Sequence, residues 1–288
     1  MVRKAVIPAA GFGTRLLPAS KALPKEMLPI VDIPAIQLVV EEAVASGLTD
    51  ILLVISKGKR AIEEHFDRSW DLERELESKG RLAELEALRR VSSMADIHYV
   101  WQQELRGLGD AIAQARRHVG DEPFAVLLGD CVYDAPEPVT RQLLEVFERH
   151  HGPVVAVEEV EPAKVGRYGI VSGKPLGDDV YELDGLVEKP APAEAPSNLA
   201  IAGRYVFTPA VFEHIARTKP GKNNEIQITD AMRSMLADGP LFAAKAHGKR
   251  HDIGNKLDFL KTNIVFGLKR PDIRADLLQF MKNLVKEL

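Results

Sequence analysis

Short, uninterrupted apolar runs alternate along the chain with longer segments of helical period. Ala5-Val6-Ile7, Ile51-Leu52-Leu53-Val54-Ile55 and Ala125-Val126-Leu127-Leu128 carry no polar residue, the pattern of strands covered on both faces of a sheet. Between them, Pro34 to Ser46 and Leu108 to Val119 read as helices that stop at Gly47 and Gly120, where glycine supplies the usual C-terminal turn. Strand and helix in alternation predict an α/β fold with a mostly parallel sheet. The stretch from Lys59 to Ala95 breaks the rhythm. It is dense in Glu, Arg and Leu and reads as an insertion of two or three amphipathic helices. After about residue 153 strands dominate: Val154 to Val160, Tyr168 to Val171, Val180 to Val187 and Leu199 to Phe207. Three prolines between Pro190 and Pro196 force an extended loop, and from Lys256 onward the chain is helical, broken at Pro271. No internal repeat marks a solenoid.

Composition narrows the class. With 288 residues, 45% hydrophobic and 28% charged, the chain is long enough for one large core or two modest ones. The formal charge of −4 argues against a nucleic-acid binder, which carries excess basic charge. The single cysteine, Cys131, excludes an intrachain disulfide and reads as a small buried filler. No apolar run approaches the roughly 20 residues needed to span a bilayer. The apolar stretch after Arg3-Lys4 ends at Gly11, too short for a secretory leader, so a cytoplasmic protein with no membrane partner is expected.

Candidate chemistry begins directly after the first strand, at Ala9-Ala10-Gly11-Phe12-Gly13-Thr14-Arg15. Two glycines let the backbone turn sharply and approach a ligand, and successive amides there can cradle phosphate oxygens. The same glycines also suit a plain tight turn. A dinucleotide fold wants a third glycine where Leu16 stands, and no Gly-Lys-Ser/Thr of a P-loop follows. What distinguishes the loop is its cations. Arg15, Lys21 and Lys25 follow closely, in a segment that Pro18, Pro24 and Pro29 keep from becoming a regular helix. Phosphoryl-transfer sites consist largely of such fixed positive charge.

The run Gly11-Phe12-Gly13-Thr14-Arg15-Leu16-Leu17-Pro18-Ala19-Ser20-Lys21-Ala22-Leu23-Pro24-Lys25-Glu26-Met27-Leu28 resembles the signature of the sugar nucleotidyltransferases, in particular their bacterial UTP–glucose-1-phosphate uridylyltransferase branch. The resemblance covers nearly the whole chain. It implies a Rossmann-like three-layer fold with a mixed, mostly parallel central sheet and the helical insertion at 59–95, in a single domain. Residues 1–130 would be mainly the nucleotide-binding half, 131–255 mainly the sugar-phosphate half, and 256–288 C-terminal helices suited to an oligomer contact.

Site residues follow from the same resemblance. Ala9, Ala10, Gly11, Gly13 and Thr14 would hold the nucleotide phosphates, with Gln102 and Gly107 reading the base; a side-chain amide both donates and accepts. Arg15 and Lys25 would be catalytic, neutralising pyrophosphate. Asp130, at a strand end, and Asp252 would hold Mg²⁺, a hard cation that takes oxygen ligands. Gly169, Glu188, Lys189, Gly203 and Tyr205 would bind the sugar phosphate, a carboxylate suiting hydroxyls and an ammonium suiting phosphate. The substrates implied are UTP and glucose 1-phosphate, in a homo-oligomer, dimer or tetramer. Because a sugar phosphate with a second pKa of about 6 is largely dianionic at neutral pH, no general base is needed, and catalysis reduces to positioning and electrostatics.

Other motifs are bland. Thr229 or Asp230 in Asn224-Glu225-Ile226-Gln227-Ile228-Thr229-Asp230 reads as a helix N-cap, and His150-His151 as a solvated helix end. The eight histidines show no zinc spacing, and no Gly-x-Ser-x-Gly elbow occurs. Three alternatives remain at this stage: a dTTP-dependent glucose-1-phosphate thymidylyltransferase, a non-catalytic nucleotide-sugar-binding protein, and a nicotinamide-dependent oxidoreductase, the last weakened by Leu16.

Overall fold

The computed structural model describes residues 1–287. β1 (Lys4–Pro8) buries Ala5, Val6 and Ile7 completely, as its unbroken apolar sequence requires. The chain then runs through the glycine and proline loop in three short 3₁₀ turns and makes a minimal hairpin, β2 (Pro29–Ile30) and β3 (Ile33–Pro34). α1 (Ala35–Ala45) ends at Gly47, whose φ of +86° is the left-handed conformation expected of a terminating glycine. β4 (Asp50–Ile55) follows. The insertion comprises α2 (Arg60–Phe66), α3 (Trp70–Ser78) and α4 (Leu82–Ser93), three helices at the expected place.

β5 (Asp96–Trp101) is a strand for which the sequence pattern carries no expectation; as an edge strand it is only half buried and lacks a continuous apolar run. The helix expected over 108–119 divides into α5 (Leu108–Ala113) and α6 (Arg116–Val119). β6 (Phe124–Leu127), β7 (Cys131–Asp134), α7 (Val139–His150) and β8 (Val154–Glu159) complete the middle of the chain.

β9 (Gly169–Gly177) and β10 (Val180–Glu188) form a hairpin about Asp178 and Asp179, both at positive φ; the partner strand extends β9 six residues beyond its apolar core. β11 (Leu199–Phe207) is buried throughout. α8 (Val211–Arg217), α9 (Ile228–Met235), β12 (Phe242–Lys245) and β13 (Lys249–Asp252) precede α10 (Lys256–Gly267) and α11 (Arg274–Glu287), with Pro271 between the last two.

Nine strands make one mixed sheet in the order β5-β4-β1-β6-β11-β8-β12-β10-β9. Parallel pairing is confined to β5-β4-β1-β6 and to β12 with β8. β11 enters antiparallel to both β6 and β8, and β10 antiparallel to β9 and β12, so parallel pairs do not predominate. For β9 and β10 the reason is connectivity: only two residues join them, and strands joined so briefly must be antiparallel. β11 also pairs with β9, so that β11, β8, β12, β10 and β9 close on themselves.

Alternation along the central strands separates two cores. Ala5, Ile7, Ile51 and Leu53 face α1, α2 and α7, whereas Val6, Leu52 and Val54 face α5, α8 and α9. The result is three layers. Both cores stop at the carboxyl ends of β1 and β6, where ligands gather in open α/β sheets.

Candidate active site

Two cavities, of about 720 Å³ and 290 Å³, meet at this edge and share Leu108, Leu128, Asp130 and Glu225. The smaller is built on the glycine loop. Ala9 N donates to Val54 O (2.8 Å) and Ser56 Oγ to Ala10 O (2.6 Å), which clamps the turn to the end of β4. Ala10, Gly11, Lys25, Gln102 and Gly107 line that cavity. Ala9 and Gly13 line neither one. Ala9 is buried beneath the turn, and Gly13 (φ +67°) makes room for a neighbour, since a Cβ there would lie 3.0 Å from Lys25 Cβ. Lys21, exposed on the outer side, also lines neither cavity.

At the end of β5, Gln102 is 4% exposed and donates its amide NH₂ to Asp110 Oδ2 (2.7 Å) and Gly107 O (3.2 Å). With both donors engaged, Oε1 is the atom it offers a ligand. Gly107 takes φ +103°, and its missing Cβ allows close approach of the 225–226 backbone. Ile226 N donates to Arg106 O (2.7 Å) and Gly109 N to Ile226 O (2.9 Å), so residues from distant parts of the chain are sewn together beside the cavity.

Lys25 reaches from its 3₁₀ turn into an ion pair with Asp130 and lies 3.9 Å from Glu26 Oε1. Burial pushes the Lys25 ammonium down, but the charges of Asp130 and Glu26 outweigh it and hold its pKa above the ordinary value. Burial likewise opposes ionisation of Asp130, yet Lys25 and Arg15 hold it below the usual carboxylate range. The pair is thus ionised at neutral pH. Strand pairing brings the second acid to the first: β13 lies antiparallel to β7 with Asp252 opposite Cys131, and Ile253 N donates to Asp130 O (3.2 Å). Asp252 Oδ1 accepts from Gly254 N (2.8 Å), and Arg15 packs over Gly254, where a Cβ would be 2.7 Å from Nη2. Asp130, Asp252 and Arg15, with Thr14, line the larger cavity. Two carboxylates at one cavity wall are the all-oxygen donor set that a hard divalent cation takes.

The far wall comes from β9, β10, β11 and α9. Glu188 ends β10; its Oε1 accepts from Lys189 Nζ (2.6 Å) and its Oε2 from Thr229 Oγ1 (2.7 Å). Lys189 sits at φ +46°, and Gly169 faces Glu188 and Thr229 so closely that a Cβ would be 2.7 Å from Thr229 Oγ1. Gly203 and Tyr205 complete this wall from β11; burial and the Glu188 charge push the Tyr205 phenol up, so it stays a neutral hydroxyl. Thr229 therefore braces Glu188. The N-cap of α9 is Gln227, two residues before Thr229, because the helix begins at Ile228. Arg250 carries no signal in the sequence, yet it lines the cavity, held by Glu158 (2.7 Å) and stacked 4.9 Å above the Tyr168 ring. Only the strand character of 249–252, which puts positions 250 and 252 on one face, could have revealed it.

Asp50, His98 and His118, from three separate elements, approach with metal-like spacing; this grouping lies at the amino ends of the strands, away from the cavities, and is closed by a 2.7 Å contact of His118 with Asp50. The Cys131 thiol is buried and pushed up to about 12 by burial.

A glycine loop, an acid pair and two joined cavities at the carboxyl edge of a mixed sheet define a nucleotidyltransferase fold. Residues 4–265 match the family model described as Nucleotidyl transferase, and the chain belongs to that family. It is 48% identical over 285 residues to UTP–glucose-1-phosphate uridylyltransferase YngB of Bacillus subtilis, covering 99% of this chain and 96% of the relative. A UTP-bound UGPase from Acinetobacter baumannii superposes with a TM-score of 0.92 at 36% identity, covering 99% of this chain and 100% of the other. A UDP-glucose pyrophosphorylase solved with UDP-glucose gives a TM-score of 0.87 at 40% identity, over 94% and 100% of the two chains. Among the described residues no helix is long and apolar enough to cross a membrane.

Proposed function

We infer that the protein transfers a uridylyl group from UTP to glucose 1-phosphate, giving UDP-glucose and pyrophosphate. The observation that carries this is the meeting of two unlike cavities at Asp130: a small one with Gly11, Lys25 and Gln102, and a larger one with Glu188 and Lys189. The first suits a nucleotide and the second a sugar phosphate. They correspond to a nucleotide half, 1–130, and a sugar-phosphate half, 131–255, of one domain.

The nucleotide enters with its base against Gly107 and Gln102, whose Oε1 accepts from the imide N–H of uracil. Amides of the Ala10–Thr14 turn and the cations Arg15 and Lys25 meet the triphosphate. Glu188 accepts from sugar hydroxyls, with Thr229 fixing its carboxylate. Lys189 and Arg250 hold the sugar phosphate, whose oxygen attacks the α-phosphorus in line while pyrophosphate leaves toward Arg15 and Lys25. The bond from the α-phosphorus to the bridging oxygen breaks as the new one forms, and no proton moves. Asp130 and Asp252 would hold a magnesium ion, which supplies further positive charge to the phosphates. Most of the rate comes from such fixed charge and alignment.

We take the compartment to be the cytoplasm and the assembly to be a homo-oligomer, dimer or tetramer. α11 has no buried residue and exposes Leu278, Phe280, Leu284 and Val285. A 14-residue helix whose Leu277 packs on Gly267 but which buries no residue fully is marginal alone, so a second copy covering it is the economical arrangement. The test of the reaction is pyrophosphate release from UTP, dTTP, CTP and ATP with glucose 1-phosphate or galactose 1-phosphate. UTP with glucose 1-phosphate should be fastest; a clear preference for dTTP overturns the assignment.

A further inference from the structure

Lys25 has two anionic neighbours, and only one belongs to the reacting groups. Asp130 lines both cavities, whereas Glu26 lines only the smaller one and is 1% exposed beside Lys25. Glu26 lies 3.9 Å from Lys25 Nζ and has, among the described residues, one other cationic partner, Lys59, whose Nζ reaches Glu26 Oε2 at 2.7 Å. Lys59 is itself 5% exposed. It is the residue before α2, where the helical insertion begins, and its backbone is pinned on both sides: its N–H donates to Ser56 O and its carbonyl accepts from Ile62 N. Ser56 in turn clamps the glycine loop through Ala10 O. Four ionisable groups thus alternate in a row, Lys59, Glu26, Lys25 and Asp130; burial pushes the Glu26 carboxyl up, and Lys59 is the first of the two cations that oppose it.

Resting on the reaction proposed above, we propose that Lys59 is a positioning residue for uridylyl transfer. It takes up the charge of Glu26 so that Lys25 can exchange Asp130 for the phosphate oxygens of the nucleotide. A buried carboxylate without Lys59 would find its nearest cation in Lys25 and draw the ammonium back from the cavity. Lys25 must turn from Asp130 to the phosphate oxygens when the nucleotide binds, and any competing anion beside it opposes that exchange. The helical insertion therefore begins with a residue that serves the site, although none of α2, α3 and α4 forms the wall of either cavity.

The experiment measures kcat and both KM values for wild type, Lys59→Met, Lys59→Arg and the double variant Lys59→Met/Glu26→Gln, with thermal melts of each. Lys59→Met should lower kcat about tenfold or more while KM for glucose 1-phosphate stays within about twofold, and Lys59→Arg should restore most of kcat. The double variant should turn over at least about threefold faster than Lys59→Met, because removing the carboxylate removes the need for its partner. A kcat for Lys59→Met within about threefold of wild type, or a double variant no faster than Lys59→Met, overturns the proposal. If Lys59→Met does not fold, the double variant is compared with Glu26→Gln alone. Equal kcat supports the proposal, and a tenfold deficit of about one logarithm refutes it. Should the wild-type chain release no pyrophosphate from UTP, the proposed reaction itself fails, whatever the variants do.

Discussion

Gly107 shows how much one residue can be asked to do. Its φ of +103° is open to glycine almost alone, and a Cβ would come within 2.8 Å of Glu225 Cβ and 3.0 Å of Ile226 O, neither free to yield. Gly107→Ala should cost about 1–3 kcal/mol, read as a lower urea midpoint, and should raise KM for UTP by displacing the turn that faces the base. Cys131 makes the opposite point. Its neighbour Asp130 is at the centre of the site, but the thiol, 4% exposed and pushed up to about 12, is neutral at physiological pH. The native protein should react with a disulfide reagent at about pH 8 at a small fraction of the unfolded rate; equal rates would place the thiol elsewhere. Arg15, Lys25, Asp130, Glu188, Lys189 and Asp252, which the family resemblance singles out in the sequence, all line one or other of the two cavities. Thr229 and Arg250 were not legible there as site residues, since threonine and arginine mean nothing until a strand or helix start places them beside Glu188 or Tyr168.

At the scale of elements, α1, α7 and β11 are joined through one buried carboxylate. Glu42 accepts from Arg204 Nε (3.0 Å) and Nη2 (2.6 Å) and from Thr140 N and Oγ1. Arg204 is fully buried and also donates to Cys131 O (2.7 Å), the strand that begins beside Asp130. Arg204→Ala leaves Glu42 without its cation and should cost about 3–5 kcal/mol in denaturant titration. Burial pushes Glu42 up, but Arg204 and Thr140 outweigh it, so its folded pKa lies below the ordinary value. A depressed carboxylate stabilises above its unfolded pKa and loses that contribution as pH falls through the folded one. The stability gap between wild type and Arg204→Ala should therefore narrow in acid, below about pH 4; a gap constant down to that range would remove Glu42 from the account. Apolar runs and terminating glycines made β1, β4, β6, β11 and α1 legible. β5 escaped because an edge strand needs no apolar run, and the break between α5 and α6 escaped because neither proline nor glycine marks it.

For the whole molecule, the decisive feature is that β11 enters the sheet antiparallel between β6 and β8 and closes the second half on itself through β9. This brings Gly203 and Tyr205 to the same edge as the glycine loop, so that the two cavities share Asp130. The exposed face of α11 belongs to the same scale. If the proposed homo-oligomer forms through this face, Phe280→Glu should shift the protein toward the monomer in light scattering, and an unchanged mass would remove this face from the proposal. The sequence by itself determined the class of fold, the insertion, the C-terminal helices and the identity of the charged groups, because each follows from local periodicity or from a short motif. Which groups meet was decided by tertiary structure alone. Asp130 and Asp252 stand 122 positions apart and come together only through the pairing of β7 with β13. Parallel or antiparallel entry of β11, and the row of charges from Lys59 to Asp130, likewise depend on long-range pairing and burial, which no local pattern encodes.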